Sequence, residues 1–371
     1  MRALTAALTA TIAVLAVSAP AAQAVPGNFW GVVGQAVPSV EEFDRLKRGG
    51  VDSIRVPVDW GSVQPVKGGA PSWVELDAIV KRAVTAGVDV LPFITSAPNW
   101  AVPSVWVPGS GHTVKAPSHL PASGAAGVAW SSFLQQAVAR YGPSGAFWVE
   151  NPSLPPRPLR AWQIWNEENF KYFVAKPNPA EYGKLVKLSY AAVKSVDPGA
   201  TVVLGGMFAR PKGGRSAQRP KRVYFASDFL EEMYETTPGI KTKFNGVALH
   251  PYTSTYQSLR PYIEETRSVL TENGDAGKGL WITELGWSSQ KPVGLSNVFA
   301  KGVAGQAKQL RGAFSLLKRM QVPWKVKRVY WFSVDDRQES CNFCDGSGLF
   351  SEGFKPKKAW YEYVKFAGGT P

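Results

Sequence analysis

The chain alternates short apolar runs, rich in β-branched residues, with longer segments whose apolar positions recur at helical spacing. Eight runs of the first kind predict strands at Phe29–Gly34, Asp52–Trp60, Asp89–Thr95, Ala161–Glu167, Thr201–Gly206, Gly246–Tyr252, Gly279–Trp287 and Arg328–Asp336. The segments between and after them predict helices at Ser39–Lys47, Trp73–Ala86, Gly127–Tyr141, Ala180–Val196, Tyr224–Tyr234, Leu259–Glu272, Val303–Met320 and Pro356–Phe366.

This alternation predicts parallel strands covered by helices, and eight units match a closed (β/α)₈ TIM barrel better than an open doubly wound sheet. No Gly-x-Gly-x-x-Gly follows the first predicted strand, which argues against a dinucleotide-binding fold. No change in composition marks a second domain, so residues 25–371 are expected to form a single α/β barrel domain.

The first 24 residues have the pattern of a secretory signal peptide. Arg2 precedes an apolar stretch that runs to Ala19, and Ala22-Gln23-Ala24 is a small-residue cleavage site. An uncleaved membrane anchor is the alternative, although the apolar stretch is short. We therefore expect a secreted, extracellular protein that has no membrane span after cleavage and is a monomer.

The chain is basic, with a formal net charge of +14 at pH 7. Such a charge suits an anionic polymer as partner, but no nucleic-acid-binding motif is present, so nucleic acid is not expected. General solubility is the plainer explanation. A basic segment after the fifth predicted strand either favours an anionic substrate or is an ordinary solvated loop: Arg210, Lys212, Arg215, Arg219, Lys221 and Arg222.

Only two cysteines occur, in Cys341-Asn-Phe-Cys344. Zinc needs about four ligands, and no matching Cys or His pair accompanies them. In an exported protein a local disulfide is expected; free thiols or a redox role are the alternatives.

Two glutamates follow predicted strands. Glu167 ends the fourth strand in Trp-Asn-Glu-Glu-Asn, and Glu284 lies in Ile-Thr-Glu-Leu-Gly-Trp of the seventh. Carboxyl groups beside buried strands are costly unless paired or functional, and a barrel brings the carboxyl ends of its strands to one face. The two glutamates are therefore candidate catalytic residues.

These motifs resemble those of the clan A glycoside hydrolases, most closely family 39 and next family 5. Trp-Gly-Ser-Val-Gln-Pro after the second strand and Ala-Pro-Asn-Trp-Ala after the third carry the likeness to family 39. The resemblance implies a retaining glycosidase, with Glu167 as general acid/base and Glu284 as nucleophile. It implies no metal or cofactor.

The resemblance also implies a set of substrate-binding residues. Arg55 would keep the nucleophile ionised, Asn166 would contact the sugar 2-hydroxyl, and His250 with Tyr252 would surround the nucleophile. Trp331 would floor the sugar subsite, and Trp100 and Trp287 are further aromatic candidates because aromatic faces stack on sugars.

Structural explanations remain open for several of these residues. Arg55 could be a barrel ion-pair partner, and His250 and Trp331 could be core residues. Glu168 competes with Glu167 but lacks the preceding Asn. Asp335 and Asp336 are expected to be loop ligands or sugar contacts rather than catalysts, and His112 and His119 are expected to be exposed loop residues.

The sequence thus predicts hydrolysis of a β-linked oligosaccharide or polysaccharide. Two alternatives use the same fold: transglycosylation during wall or capsule remodelling, and a catalytically inactive glycan-binding barrel.

Overall fold

The structure is a computed structural model of the chain, and it describes residues 26–34, 36–108, 113–210, 223–292, 298–336 and 345–371. The strands are β1 (Trp30–Val33), β2 (Ser53–Asp59), β3 (Asp89–Thr95), β4 (Ser104–Pro108), β5 (Thr113–Pro117), β6 (Ala161–Ile164), β7 (Thr201–Phe208), β8 (Gly246–His250), β9 (Gly279–Leu285), β10 (Val326–Trp331), β11 (Phe350–Ser351) and β12 (Lys355–Pro356).

The helices are α1 (Val40–Arg48), α2 (Trp60–Val63), α3 (Val74–Thr85), α4 (Gly124–Tyr141), α5 (Ala146–Glu150), α6 (Pro179–Val196), α7 (Ala226–Thr236), α8 (Leu259–Glu272), α9 (Gly302–Arg319) and α10 (Lys358–Ala367). Two short 3₁₀ turns lie at Ile240–Thr242 and Tyr256–Ser258. Side-chain caps are found at two of the predicted helices: Ser39 and Glu42 form a capping box at α1, and Asn178 caps α6 ahead of Pro179.

Eight parallel strands close into a barrel in the order β1-β10-β9-β8-β7-β6-β3-β2, so the predicted fold is confirmed. Strand β3 and helix α8 have the predicted bounds. Strand β6 ends three residues earlier than predicted, because Trp165 adopts a positive φ of 73° and turns the chain out of the sheet.

Side chains alternate between two apolar layers. One fills the barrel, and the other lies between strands and helices. The interior layer consists of Val33, Leu91, Val203, Ala248, Tyr252, Trp281, Tyr330 and Phe332. Polar side chains lie in the interior as well: Ser53, the first residue of β2, forms a hydrogen bond with the Tyr330 hydroxyl.

The segment between the third predicted strand and the helix that follows it contains regular structure that the sequence did not reveal. Strands β4 and β5 pair there as an antiparallel hairpin after the third barrel strand. Trp106 lies on it with 69% of its surface exposed, so the hairpin presents a large aromatic side chain to solvent. None of the helices among the described residues has the length and apolar character to cross a membrane.

Candidate active site

Glu167 and Glu284 meet at the carboxyl end of the barrel. One carboxylate oxygen of each, together with a ring nitrogen of His250, lies within 4.8 Å of the others. Both glutamates are more than nine-tenths buried. The sequence predicts that these two residues meet at one end of the barrel, and the structure brings their carboxyl groups together there.

A bulge in β9 turns Glu284 toward the barrel axis. Ile282 pairs with Val329 and Leu285 with Trp331, so two residues of β9 face one residue of β10. Both Ile282 and Leu285 belong to the outer apolar layer although they are three positions apart. The extra residue interrupts the alternation, and Thr283 and Glu284 both contact interior groups.

Arg55 is the central cation of the site. Its guanidinium donates to Glu284 Oε1 at 2.6 Å, to Asn166 Oδ1 at 2.6 Å and to Gln163 Oε1 at 2.8 Å. The guanidinium also lies 3.8 Å from the centre of the Phe93 ring, and its side chain is fully buried. A buried arginine with these partners fixes Glu284 and Asn166 in one geometry.

Tyr252 and His250 hold the other sides of the two carboxyl groups. The Tyr252 hydroxyl donates to Glu284 Oε2 at 2.8 Å. His250 Nδ1 lies 2.8 Å from Glu167 Oε1 and 3.6 Å from Glu284 Oε2, and its Nε2 lies 3.0 Å from the Thr283 hydroxyl. Burial, and then the Arg55 charge, lower the pKa of His250 well below its ordinary value, so the imidazole is neutral at pH 7.

The two carboxyl groups have different electrostatic surroundings. Burial, and then the charge of Glu284, raise the pKa of Glu167 well above its ordinary value. Burial also raises the pKa of Glu284, but Arg55 and the Tyr252 hydroxyl oppose that effect by stabilising the carboxylate. The neighbours therefore favour a protonated Glu167 beside an ionised Glu284.

Glu167 lies in a tightly shaped turn after β6. Trp165 and Glu167 have positive φ angles of 73° and 42°, which non-glycine residues seldom adopt and which cluster at functional sites. The buried side chain of Asn169 braces this turn by bonding both the N–H and the carbonyl of Phe208 and the carbonyl of Tyr224.

Two adjacent glycines of β7 make room for side chains on opposite faces. A Cβ at Gly206 would overlap the imidazole of His250, and a Cβ at Gly205 would overlap the carboxyl group of Glu168. Successive residues of a strand point to opposite faces, so the two positions lie on different sides of the sheet. Glycine inside a strand is a signal of such close approach, and the Gly-Gly pair could have revealed this contact.

The carboxylates and His250 could offer three ligand atoms to a metal ion. However, the Arg55 guanidinium is already 2.6 Å from Glu284, and a second cation there would be repelled. The arrangement suits acid–base chemistry between two carboxyl groups and a substrate.

Trp331 and Trp287 are not part of this cluster, which corrects their predicted placement. Trp331 is fully buried in the outer layer, where its ring lies 6.1 Å from that of Trp287 and its indole N–H bonds the Ser347 carbonyl. Trp287 is 1% exposed and donates to the Thr253 carbonyl. Strand alternation gives the interior position to Phe332, whose ring packs edge-on against Tyr252.

The remaining candidates lie around the site or outside it. Trp100 is half-buried and anchors the loop after β3 by donating to the Gln64 carbonyl. Asp336 binds Lys357 and the Gly348 amide, and His119 is an exposed loop residue. Arg210 is paired with Glu265.

Several predictions fall outside the described residues: the signal peptide at residues 1–24, His112, Cys341 with Cys344, and the basic residues from Lys212 to Arg222.

A family model described as glycosyl hydrolase catalytic core matches residues 165–363, which is more than half of the chain. The chain belongs to this family. The prediction of a glycosidase is thereby confirmed at the level of the family. No curated protein sequence matches the chain significantly.

Solved structures of similar fold include glycosidases of both families that the motifs resemble. A family 39 glycoside hydrolase from Bacteroides cellulosilyticus is 21% identical, with a TM-score of 0.64 over 92% of this chain and 64% of that one. A monomeric β-xylosidase from Caulobacter crescentus is 16% identical, with a TM-score of 0.60 over 93% and 68%. A family 5 enzyme from Bifidobacterium longum subsp. infantis is 15% identical, with a TM-score of 0.61 over 92% and 78%.

This chain thus spans slightly less than two thirds of the Bacteroides enzyme. At these identities the likeness is one of fold.

Proposed function

We propose that the protein is a retaining glycosidase that hydrolyses a β-linked oligosaccharide or polysaccharide by double displacement. In this proposal Glu284 is the nucleophile, and Glu167 first protonates the departing oxygen and then activates water. The observation that carries it is the approach of the two carboxyl groups, with one oxygen of each within 4.8 Å. Retaining pairs lie about 5–5.5 Å apart, whereas inverting pairs lie about 6.5–9.5 Å apart to admit a water molecule.

The unequal surroundings of the two glutamates support the division of roles. A nucleophile must be ionised, and Glu284 receives hydrogen bonds from Arg55 and Tyr252. A general acid must hold its proton at the working pH, and the pKa of Glu167 is raised by burial and by Glu284. Asn166 accepts from Arg55 through Oδ1, which leaves its amide N–H groups to donate to a sugar hydroxyl.

The β linkage is supported by the motif resemblance and by the solved β-xylosidase of similar fold. The distribution of cations agrees with an uncharged sugar at the reacting centre, because Arg55 is engaged by its protein partners.

Azide chemistry tests the two roles separately. Glu284→Ala should lose hydrolysis of aryl β-glycosides and should form a glycosyl azide of inverted configuration when azide is added. Glu167→Ala should still release good leaving groups, and azide should then yield a product of retained configuration. Glu168→Gln, which alters the neighbouring carboxyl group, is the matched control and should keep the wild-type rate at neutral pH.

Two outcomes would contradict the proposal. One is azide products with the stereochemistry exchanged between the two variants. The other is a first-formed hydrolysis product of the wild-type enzyme with inverted anomeric configuration.

We also propose that the protein is exported, on the strength of the signal-peptide pattern in residues 1–24. Protein recovered from the medium of an expressing host should begin at Val25. Recovery only from the cell fraction with Met1 in place would contradict export.

A further inference from the structure

A cavity opens at the opposite end of the barrel from the glutamates. It has a volume of about 580 Å³ and is lined by residues at or just before the amino ends of six barrel strands, β3 and β6 to β10. Pockets of this size accept a small molecule or one or two units of a chain. Barrel enzymes place their catalysis at the carboxyl end, so this cavity is separate from the proposed reaction.

The lining is basic. Four cations, Arg157, Arg160, Lys327 and Arg328, face the cavity with a single carboxylate, Asp89. Asp89 is already shared, since Arg157 lies 3.0 Å and Arg328 3.9 Å from its oxygens.

The other nearby acids do not balance these cations. Arg160 pairs with Asp197, which is outside the lining, at 3.0 Å, and Asp52 pairs with Lys47 at 2.9 Å. Lys327 is exposed and has no ion-pair partner among the described residues. Four cations against Asp89 and Asp197 leave an excess of two positive charges around one concave surface.

The floor of the cavity contacts two of these cations. Trp281, 7% exposed, forms part of the floor, and the Arg328 guanidinium lies 5.3 Å from its ring centre. Gly279 also lines the cavity, and a Cβ there would collide with the stem of Lys327. The amide of Asn245 and the hydroxyl of Thr201 add uncharged polar groups to the wall.

We propose that this amino-end cavity binds a tetrahedral oxyanion, either free phosphate or the phosphate or sulfate ester of an anionic chain. Guanidinium groups bind such oxyanions through paired N–H donors, and a lysine adds a point charge. The site would hold an anionic ligand away from the catalytic end, and its occupation does not depend on the glycosidase mechanism.

Isothermal titration calorimetry at low salt tests the site with three probes: inorganic phosphate, a sulfated dextran oligosaccharide and the same oligosaccharide without sulfate. We expect one equivalent of each anion to bind, with affinity falling as salt is added, and the uncharged chain not to bind. Binding of the sulfated chain without binding of phosphate would also support the site and would identify its ligand as part of a chain.

Lys327→Met retains the side-chain stem and removes the charge. It should weaken anion binding about tenfold, the usual scale for losing one charged hydrogen bond. Lys308→Met, at an exposed lysine on α9, is the matched control and should bind as the wild type does. Both variants should cleave a small neutral aryl glycoside at the wild-type rate.

Failure of both anions to bind would overturn the proposal. So would equal losses in the two lysine variants, because these would show attraction by the basic surface as a whole.

Discussion

Arg55 distinguishes the two glutamates at the scale of single residues. It contacts Glu284 directly and reaches Glu167 only through space, so its charge stabilises one ionised carboxylate more than the other. Its three hydrogen bonds and the Phe93 ring leave it little freedom to move. The ionisation of the proposed nucleophile therefore depends chiefly on one buried cation, with the Tyr252 hydroxyl as a neutral second donor.

Replacing Arg55 should move the acid limb of the pH profile. Arg55→Met removes the charge that lowers the pKa of Glu284, so that pKa should rise and the acid limb of kcat/KM should shift to higher pH. We expect kcat/KM at its optimum to fall on the order of 100-fold, as for other lost electrostatic contacts in active sites. Stopped assays from pH 4 to 9 with an aryl glycoside measure both effects.

Tyr252→Phe is the graded control, since it removes a single neutral donor to Glu284 and should shift the limb less. An acid limb at the same pH in Arg55→Met and the wild type would show that Arg55 does not set the ionisation of Glu284.

Glu168 should make stability depend on pH. Its side chain is fully buried, and burial raises its pKa from 4.5 to about 8, so it is protonated in the folded protein at pH 7. The unfolded chain ionises the same group near its ordinary pKa. Its contribution to stability is therefore complete below about pH 4.5 and is lost as the pH rises toward 8, by about 1.4 kcal/mol for each pH unit.

Glu168→Gln is neutral at every pH and should remove this loss. Urea unfolding at pH 5, 6.5 and 8 should show the variant gaining free energy of unfolding relative to the wild type as the pH increases. Glu75→Gln, at an exposed carboxylate on α3, should follow the wild type. Parallel pH dependence in Glu168→Gln and the wild type would refute the buried neutral carboxyl.

At the scale of elements, substitutions at two adjacent glycines of β7 should have different consequences, one for activity and the other for stability. Gly206→Ala should displace His250 from Glu167 and lower kcat, while the fold persists. Gly205→Ala should force a fully buried Glu168 side chain to move, with a loss of roughly 1–3 kcal/mol in the free energy of unfolding. Kinetics and urea titrations on both variants measure the two readouts.

Removing the carboxyl group of Glu168 should relieve the overlap in Gly205→Ala but not the overlap in Gly206→Ala. Glu168→Ala combined with Gly205→Ala should cost less stability than the sum of the single changes, whereas Glu168→Ala should not restore the activity of Gly206→Ala. Equal rescue of both would mean that the two glycines contact the same group.

The elements also show where sequence patterns are informative. Apolar runs and helical spacing located all eight barrel strands, because the hydrophobic period reflects burial directly. The side of the strand on which a residue lies was harder to predict, as Trp331 and Phe332 show. Val326 faces the outer layer, and strict alternation from it would put Phe332 on the outer side as well. A register shift between Val326 and Arg328 reverses this and gives Phe332 the interior. Bulges in β7 and β9 change the strand register by one residue, and no local pattern of apolar and polar residues predicts them.

The site was predictable only in part for the same reason. Glu167, Glu284, His250 and Tyr252 come together because each lies at or just beyond the carboxyl end of a barrel strand, which the alternation predicts. Arg55 lies earlier in its strand, β2, and reaches Glu284 with its long side chain. Gln163 and Thr283, which contact Arg55 and His250, were not predicted, since their roles arise from pairing between strands distant in sequence. The β4–β5 hairpin was missed because Pro and Gly in that segment are also typical of irregular loops.

At the scale of the whole molecule, the barrel has two chemically different ends. The carboxyl end holds two carboxyl groups and one arginine, whereas the amino end has a cavity with an excess of positive charge. The apolar interior layer lies between them. Part of the net charge of +14 is therefore located at the end of the barrel away from the proposed reaction.

Within the proposed cycle, the buried cluster keeps a constant total charge. Before reaction, Arg55 is positive, Glu284 is negative, and Glu167 and His250 are neutral. When Glu284 forms its ester with the sugar, it loses its charge, and Glu167 gains one by giving its proton to the departing oxygen.

The negative charge therefore passes from one carboxyl group to the other across less than 5 Å, and the arginine always has an anionic neighbour. A buried ion without a counter-ion has a high desolvation free energy. Because the negative charge always stays near Arg55, no intermediate of the proposed cycle contains such an unpaired ion. The close spacing of the two glutamates thus keeps the net charge of the site constant through the cycle, and only the location of the negative charge changes.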